Sequence, residues 1–460
     1  MPDRIINVDT VQTRERTMKL GLTWNDKDEN IRSGFVVYSS CYPEDKNHNY
    51  VRVLDMDGNQ VHQWDMGDKM PGLWSYMPEP QCVSRYVKPG QKGLLLAITK
   101  IPSDSVKKQQ FVAWNADRGG LMELIDFDGN VIWSYSDEHQ NHDARLTKEG
   151  NLIYIASEVL DNEKIAKKVV KIAAKHRGFS QTPRNPKVYS DVVKVVDPVS
   201  SEVLYEWHAS EHLDPNIDMI NYNDTFDEWN HGNTVFPLYE DPNNRNKLTD
   251  ILISFRQNSM IGKINIATGM FQRLITSPFI SQQHDSTSLD ESNTNRILVF
   301  NNRYCPNDYA PSPFSRVIEY DLTRCAPCIY LPEVTGPKVA WEYQDGTLDL
   351  YSGYIGGAQR LPGYTLEEHG VHYTLITEGM KGRMFIVKTT IGTSDGEKVF
   401  ENKVVWEFMN PEIAPGQRVE DLVLRRTSVL RSRYVLPDLF SAEQLERMSS
   451  CRNSMFRSRM

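Results

Sequence analysis

The sequence is short of the features that mark disulfide scaffolds, nucleic-acid binders and membrane proteins. Only six of its 460 residues are cysteine, too few for a disulfide framework at this length, and a reducing compartment fits better. The net charge is −9, so no basic surface for nucleic acid or an anionic membrane is expected. No run of about 18 apolar residues occurs, so no transmembrane helix is expected.

Most of the sequence lacks helical periodicity, and its first residues do not resemble a secretory leader. Residues 1–22 lack the apolar segment of a signal peptide, so we expect a cytoplasmic protein, with an exported mature form left open. Residues 162–176 predict one helix with a basic face, and residues 441–450 predict a short second helix. With 10% aromatic residues, the rest of the chain has the material for a large β core.

A repeated unit dominates what is present. Each copy joins a turn to a strand that ends in an aromatic residue, and Asp-x-Asp-Gly-Asn between apolar alternations is typical of a β-hairpin. The copies are DMDGNQVHQW (55–64), DFDGNVIWSY (126–135), DPVSSEVLYEW (197–207), NIATGMFQRL (265–274), the split pair EYDL (319–322) and KVAWEY (338–343), and VKTTIGTSDGEKVFENKVVWEF (387–408).

Each copy also has an apolar strand before the turn and another after the aromatic residue. Four short strands in each of six units predict an all-β fold, a six-bladed β-propeller with a helical insertion in the second unit. A solenoid of the same units is the alternative, but the loops are long and irregular. We therefore predict an N-terminal extension over residues 1–34, a propeller over 35–435 and a helical tail over 436–460.

Histidines recur where each innermost strand of the propeller should begin. Of the eleven histidines in the chain, His142, His231 and His284 follow the aromatic residue of their units. The first and fifth units have Gln81 and Gln359 at this place, and the sixth has no comparable residue. A single buried histidine is usually a hydrogen-bonded core residue, but three that converge on one channel favour a functional site.

An arginine joins these histidines and points to an anionic ligand. Arg256 ends a predicted channel-side strand, and its guanidinium suits planar or tetrahedral oxyanions. A metal site is the competing interpretation. Apart from Asp143 and Asp285, which follow two of the histidines, no carboxylates have ligand spacing, so no metal and no cofactor are predicted. Three imidazoles and a guanidinium suit the transfer of an anionic group.

The ordered series of motifs from about Asn49 to Asn410 resembles the arylsulfate sulfotransferases, the bacterial type that uses no nucleotide donor. The segments that carry the resemblance are DGNVIWSYSDEHQNHDARLTKEGNLIYIAS (128–157), EWNHGNTV (228–235), ILISFRQNSMIGKI (251–264), QQHDSTSL (282–289) and SRVIEYDL (315–322). The resemblance implies that a histidine takes a sulfuryl group from an aryl sulfate and passes it to a phenol. By motif, His284 would be the nucleophile, with His142, His231 and Arg256 as supporting catalytic residues.

The sequence departs from the family pattern at several candidate substrate-binding residues. Phe-Asp-Asn-Gly of the family reads FNNR at residues 300–303, which adds Asn302 and Arg303 as candidates. His139, Gln359 and His369 complete the predicted substrate-binding set.

Three functions remain open at this point. Sulfuryl transfer between small aromatic molecules is preferred. A hydrolase or lyase acting on a phenol-like or cyclic diketone substrate is the second, and a non-catalytic binding propeller is the third. No nucleic-acid or membrane partner is predicted, and a homodimer is compatible with the sequence. The Cys-x-x-Cys pair at Cys325 and Cys328 is a weak zinc or redox signal.

Overall fold

Six β-sheets follow one another along the chain and form the blades of a six-bladed β-propeller, as the repeats predict. The computed structural model describes residues 4–7, 19–40, 49–67, 75–100, 120–160, 163–176, 187–221, 228–303, 314–323, 336–344, 350–394, 397–412 and 429–451. The Cys325 and Cys328 pair lies outside these residues.

Blades are counted by sheet, with their strands in chain order. Blade one contains β3 (Phe35–Ser40), β4 (Tyr50–Asp55), β5 (Gln60–Asp65) and β25 (Val429–Val435). Blade two contains β6 (Leu95–Lys100), β7 (Gly120–Ile125) and β8 (Val131–Ser136). Blade three contains β9 (Gln140–Leu146), β10 (Leu152–Val159), β11 (Tyr189–Val196) and β12 (Val203–His208). Blade four contains β13 (Gly232–Leu238), β14 (Asp250–Phe255), β15 (Met260–Asn265) and β16 (Phe271–Thr276). Blade five contains β17 (His284–Ser288), β18 (Arg296–Asn301), β19 (Arg316–Asp321) and β20 (Lys338–Tyr343). Blade six contains β21 (Gly357–Arg360), β22 (Val371–Glu378), β23 (Arg383–Ser394) and β24 (Glu397–Met409).

The two ends of the chain complete the ring and its edge. The late strand β25 pairs antiparallel with β3 and so supplies the innermost strand of blade one. The early strands β1 (Arg4–Asn7) and β2 (Gly21–Asn25) both pair with β24, outside blade six. Among the described residues, blade two has three named strands, and Tyr76 adds an isolated antiparallel bridge to Leu96 beside β6.

The helices are few and peripheral. They are α1 (Pro80–Val83), α2 (Glu163–His176), α3 (Ala209–His212), α4 (Leu366–His369) and α5 (Ala442–Cys451), with 3-10 turns at Gly379–Lys381 and Pro437–Leu439. The helical insertion predicted for the second unit is α2, which lies between β10 and β11 of blade three. Its buried face repeats at helical spacing through Ala166, Val169, Val170 and Ala173, which leaves its lysines toward solvent. Among the described residues no helix is long and apolar enough to span a membrane.

In three blades the repeated tryptophan hydrogen-bonds to the backbone of the next blade. Trp64 Nε1 donates to the carbonyl of Asp126 at 2.9 Å, in the turn between β7 and β8. Trp207 Nε1 donates to Gly269 in blade four at 3.1 Å, and Trp406 Nε1 donates to Met56 in blade one at 3.0 Å, across the ring closure. Each of these tryptophans is fully buried, so truncation to Ala should cost about 3–5 kcal/mol.

Candidate functional site

The three predicted catalytic histidines are buried at the start of three successive innermost strands. His142 lies in β9, His231 directly precedes β13, and His284 begins β17. The hydrogen-bond register between each of these strands and its neighbour shifts beside the histidine. His142 and His231 have positive φ angles of 48° and 57°, which non-glycine residues rarely adopt outside functional sites. These β-bulges re-aim the side chains at the start of each strand.

The hydrogen bonds around His284 leave its Nε2 with the lone pair. Its Nδ1 lies 2.7 Å from Asn302 Oδ1. Asn302 Nδ2 donates to the carbonyls of Ser352 and Ile355 at 2.7 and 2.8 Å, so the amide oxygen must face the ring. An amide oxygen only accepts, and therefore His284 carries its proton on Nδ1.

His142 is held in the same way by the residue before it. Its Nδ1 lies 2.9 Å from Asn141 Oδ1, while Asn141 Nδ2 donates to Ser157 Oγ. Its ring meets that of His231 edge to face, with centroids 4.6 Å apart. His142 therefore also presents Nε2 beside a second imidazole.

His231 differs because its partner is a carboxylate. Its Nδ1 lies 2.7 Å from Glu228 Oε2, and both side chains are buried. A carboxylate stabilises the imidazolium form, as an amide does not. Behind this pair, burial raises the pKa of Asp191 to about 8, and the charge of Glu228 adds to the rise. His231 is thus the imidazole best placed to gain and lose a proton.

Arg256 lies close enough to act on two of the imidazoles. It directly follows β14, and its backbone N–H donates to the carbonyl of His231 at 3.0 Å. Burial lowers the pKa of His284 well below its ordinary value, and the positive charge of Arg256 lowers it further. Burial, His231 and then Arg256 lower the pKa of His142 in the same direction. Both rings are therefore neutral at neutral pH.

The two aspartates that follow the histidines turn away from them into a buried cluster with three arginines. Arg431 Nη1 donates to Asp143 Oδ1 at 3.1 Å. Arg433 donates to both oxygens of Asp285, at 2.9 and 2.6 Å, and Arg145 Nε donates to Asp143 Oδ2 at 3.1 Å. These ion pairs tie β9 and β17 to β25 and hold the pKa of Asp285 well below its usual range against the effect of burial. The three arginines were not among the residues predicted from the sequence.

The secondary candidates fall at two different ends of the channel. Asn302 contacts His284, Arg303 follows it, and the half-exposed His139 precedes β9. Gln359 lies deeper, where its amide exchanges hydrogen bonds with the backbone of Tyr434 at 3.1 and 2.7 Å. His369 lies in α4, after the far end of β21. The structure therefore corrects the predicted grouping, because Gln359 and His369 do not lie beside His284.

Within the part of the chain that the structure describes, no three His, Cys, Asp or Glu side chains are placed to hold a metal ion. The cluster instead combines two neutral imidazoles, one imidazole with a carboxylate partner and one guanidinium. Such a set provides a nucleophilic nitrogen, a proton acceptor and an oxyanion ligand. It defines a propeller with a site suited to the transfer of an anionic group.

The comparison with protein families agrees with this class. Residues 110–401 match the family described as Arylsulfotransferase (ASST). Since the match covers more than half of the chain, the protein belongs to the arylsulfotransferase family. No curated protein matches it.

Matching solved structures are distant. They include an acylaminoacyl peptidase from Pyrococcus horikoshii (12% identity, 85% of this chain and 47% of that chain, TM-score 0.34). Others are the hydrazine synthase of Kuenenia stuttgartiensis (11%, 62% and 64%, TM-score 0.30) and the β-propeller domain of Cps50 (Swd1) from Myceliophteria thermophila (10%, 82% and 88%, TM-score 0.36). This chain spans about half the length of the peptidase and less than two thirds of the synthase chain. At these identities and TM-scores the likenesses carry no functional argument.

Proposed function

We propose that this protein transfers a sulfuryl group from an aryl sulfate to a phenolic acceptor through a sulfohistidine formed on His284. One observation carries the proposal. Asn302 fixes the proton of His284 on Nδ1, so the reactive lone pair is on Nε2. A nucleophilic imidazole has to be neutral, and the lowered pKa of His284 keeps it so.

The proposed reaction has two half-reactions. In the first, the lone pair of His284 Nε2 forms a bond to sulfur, the bond from sulfur to the aryl oxygen breaks, and the electron pair leaves on the phenolate. In the second, the acceptor oxygen forms a bond to sulfur, the N–S bond breaks, and its electron pair returns to Nε2. The proton lost by the acceptor equals the proton gained by the released phenol, so no other reactant is consumed.

The neighbouring groups take distinct parts. Arg256 would bind the sulfuryl oxygens, where charge builds up in the transition state. His231 would accept the proton of the acceptor phenol on Nε2, because Glu228 at 2.7 Å stabilises the imidazolium that results. The ring of His142 packs edge to face against that of His231, with centroids 4.6 Å apart, and would hold that ring in position. We place this activity on small aromatic substrates in the cytoplasm.

The test is release of 4-nitrophenolate from 4-nitrophenyl sulfate, with and without phenol. Colour that requires phenol, and that His284→Ala abolishes, is the expected result. The exposed His369 is the control, and His369→Gln should keep the wild-type rate. Colour in water alone would instead support a sulfatase. No turnover in either condition would contradict sulfuryl transfer and support the hydrolase or lyase alternative on another substrate.

A further inference from the structure

A cavity opens at the end of the channel opposite the imidazoles. Its volume is about 1070 Å³, and its lining includes Arg145, Arg433 and Arg360 together with Tyr76, Phe236 and Leu289. The predicted site residues Arg256 and the three catalytic histidines are not part of this lining. The cluster of Asp143, Asp285 and the arginines lies between the two ends, because each aspartate directly follows a histidine while Arg145 and Arg433 reach the cavity.

The buried cluster beneath this cavity has more positive than negative charge. Three guanidiniums, Arg145, Arg431 and Arg433, share the carboxylates of Asp143 and Asp285. Burial lowers the pKa of the Arg431 guanidinium to about 10, even though both carboxylates oppose that change. The cluster thus contains three guanidiniums and two carboxylates.

A donor on the floor is also unused. Arg145 Nη2 is buried and has no hydrogen-bond acceptor among the described residues; the nearest carboxylate oxygen, Asp285 Oδ1, is 3.8 Å away. The guanidinium of Arg145 lies over the ring of Phe236, with its Cζ 5.1 Å from the centroid. A buried guanidinium nitrogen without an acceptor is costly, so the carboxylates of the cluster do not use all the donors of Arg145.

The wall of the cavity also combines two arginines with one carboxylate, beside a buried histidine. Glu319, almost fully buried, is shared by Arg360 and Arg296. His372 is 4% exposed, lines the cavity and has no hydrogen-bond partner for Nε2 among the described residues. Of the other acidic residues of the lining, Glu79, Glu367 and Asp438 are exposed at the rim, and Glu291 pairs with Lys148 at 2.7 Å. The buried part of the cavity wall therefore has more guanidiniums than carboxylates.

We propose that this cavity is a second ligand site, which takes a small organic anion with an apolar body. The anionic group would sit against Arg145 and Arg433, and the body would pack against Phe236, Leu289 and Tyr76. The volume fits a ligand of metabolite size. The proposal does not depend on sulfuryl transfer at the imidazoles.

The test is calorimetric titration with naphthalene-2-carboxylate and with its uncharged relative, naphthalene-2-carboxamide. We expect one binding event in which the carboxylate binds at least about tenfold more tightly than the amide. Leu289→Trp fills the cavity without changing a charge and should remove this event. Arg145→Gln should weaken it about tenfold or more.

Two controls separate this site from the rest of the molecule. Arg316→Gln removes an arginine that pairs with Glu342 on β20 and should leave the titration unchanged. His284→Ala should also leave it unchanged, because the arginine and aspartate cluster lies between them. Equal affinity for carboxylate and amide, or full binding by Leu289→Trp, would overturn the proposal. A binding event that only His284→Ala removes would also overturn the proposal. If Arg145→Gln does not fold, the comparison of carboxylate with amide and the titration of Leu289→Trp still decide.

Discussion

The hydrogen bond between His284 and Asn302 decides which nitrogen of that ring can react. An aspartate at 302 would favour the imidazolium and raise the pKa of His284. Since protonation blocks Nε2, the acid limb of kcat/KM against pH should move to higher pH in Asn302→Asp. We expect kcat/KM for the aryl sulfate donor to persist below pH 6.5 in the wild type, because the pKa of His284 is lowered. In the variant it should fall there and recover only at higher pH.

The matched control for this change is Asn402→Asp. Asn402 is also buried and accepts from Trp341 Nε1 at 3.0 Å, but it lies in β24. Any loss of stability that a buried aspartate causes should appear in both variants, while only Asn302→Asp should move the pH profile. An unshifted acid limb in Asn302→Asp would show that Asn302 does not set the protonation of the reactive ring.

Arg256 is predicted to act through its planar fork rather than its charge alone. Arg256→Lys keeps one positive charge but loses the paired N–H donors. We expect a loss of about 1.5–3 kcal/mol in transition-state stabilisation, measured as a fall in kcat/KM with 4-nitrophenyl sulfate. A lysine variant with the wild-type kcat/KM would remove Arg256 from the site.

Among the elements, β25 closes the ring and also anchors the strands of the histidines. Its Arg431 pairs with Asp143 in β9 and with Asp285 in β17. Arg431→Met leaves both carboxylates with fewer partners inside the protein, so the free energy of unfolding should fall by about 3–5 kcal/mol. Urea denaturation followed by tryptophan fluorescence measures this loss.

A double-mutant cycle identifies the pair that is responsible. With Asp143→Asn in place, Arg431→Met should cost about 1–3 kcal/mol less than it does alone. The exposed pair of Arg447 and Asp128 is the control, and Arg447→Met should leave the free energy of unfolding nearly unchanged. If the two effects in the cycle simply add, the cluster does not couple β25 to β9.

At the scale of the whole molecule, the parts that the sequence predicts are those with a local cause. The turns can be read directly, since Asp55 Oδ1 accepts from the backbone N–H groups of Asp57 and Asn59 at 3.0 and 2.9 Å. The aromatic residue of the repeated unit can also be recognised from the sequence around it, but its contact with the next blade cannot. Six such units give the blade count, and the confirmed fold follows from it.

The predictions that failed concern how deep a residue lies in the channel and which residues distant in sequence contact the site. Gln359 occupies an innermost strand but lies deeper than His284, because the bulges that set depth leave no clear mark in the sequence. Arg431 and Arg433 were missed because β25 lacks the turn and tryptophan of the other units. Their alternation in a short apolar strand is the signal that could have found them. The hydrogen bond between His231 and Glu228, three residues earlier, could have been suggested by their spacing, but the spacing alone is ambiguous.

The most direct test of the central claim is to locate the covalent intermediate. Protein incubated with 4-nitrophenyl sulfate and no acceptor is digested at mildly alkaline pH, and its peptides are weighed. The account predicts an added sulfuryl mass of about 80 Da on the peptide containing His284, removed by phenol and absent from His284→Ala. A mass addition on a different residue, or robust phenol-dependent turnover without any addition, would contradict it.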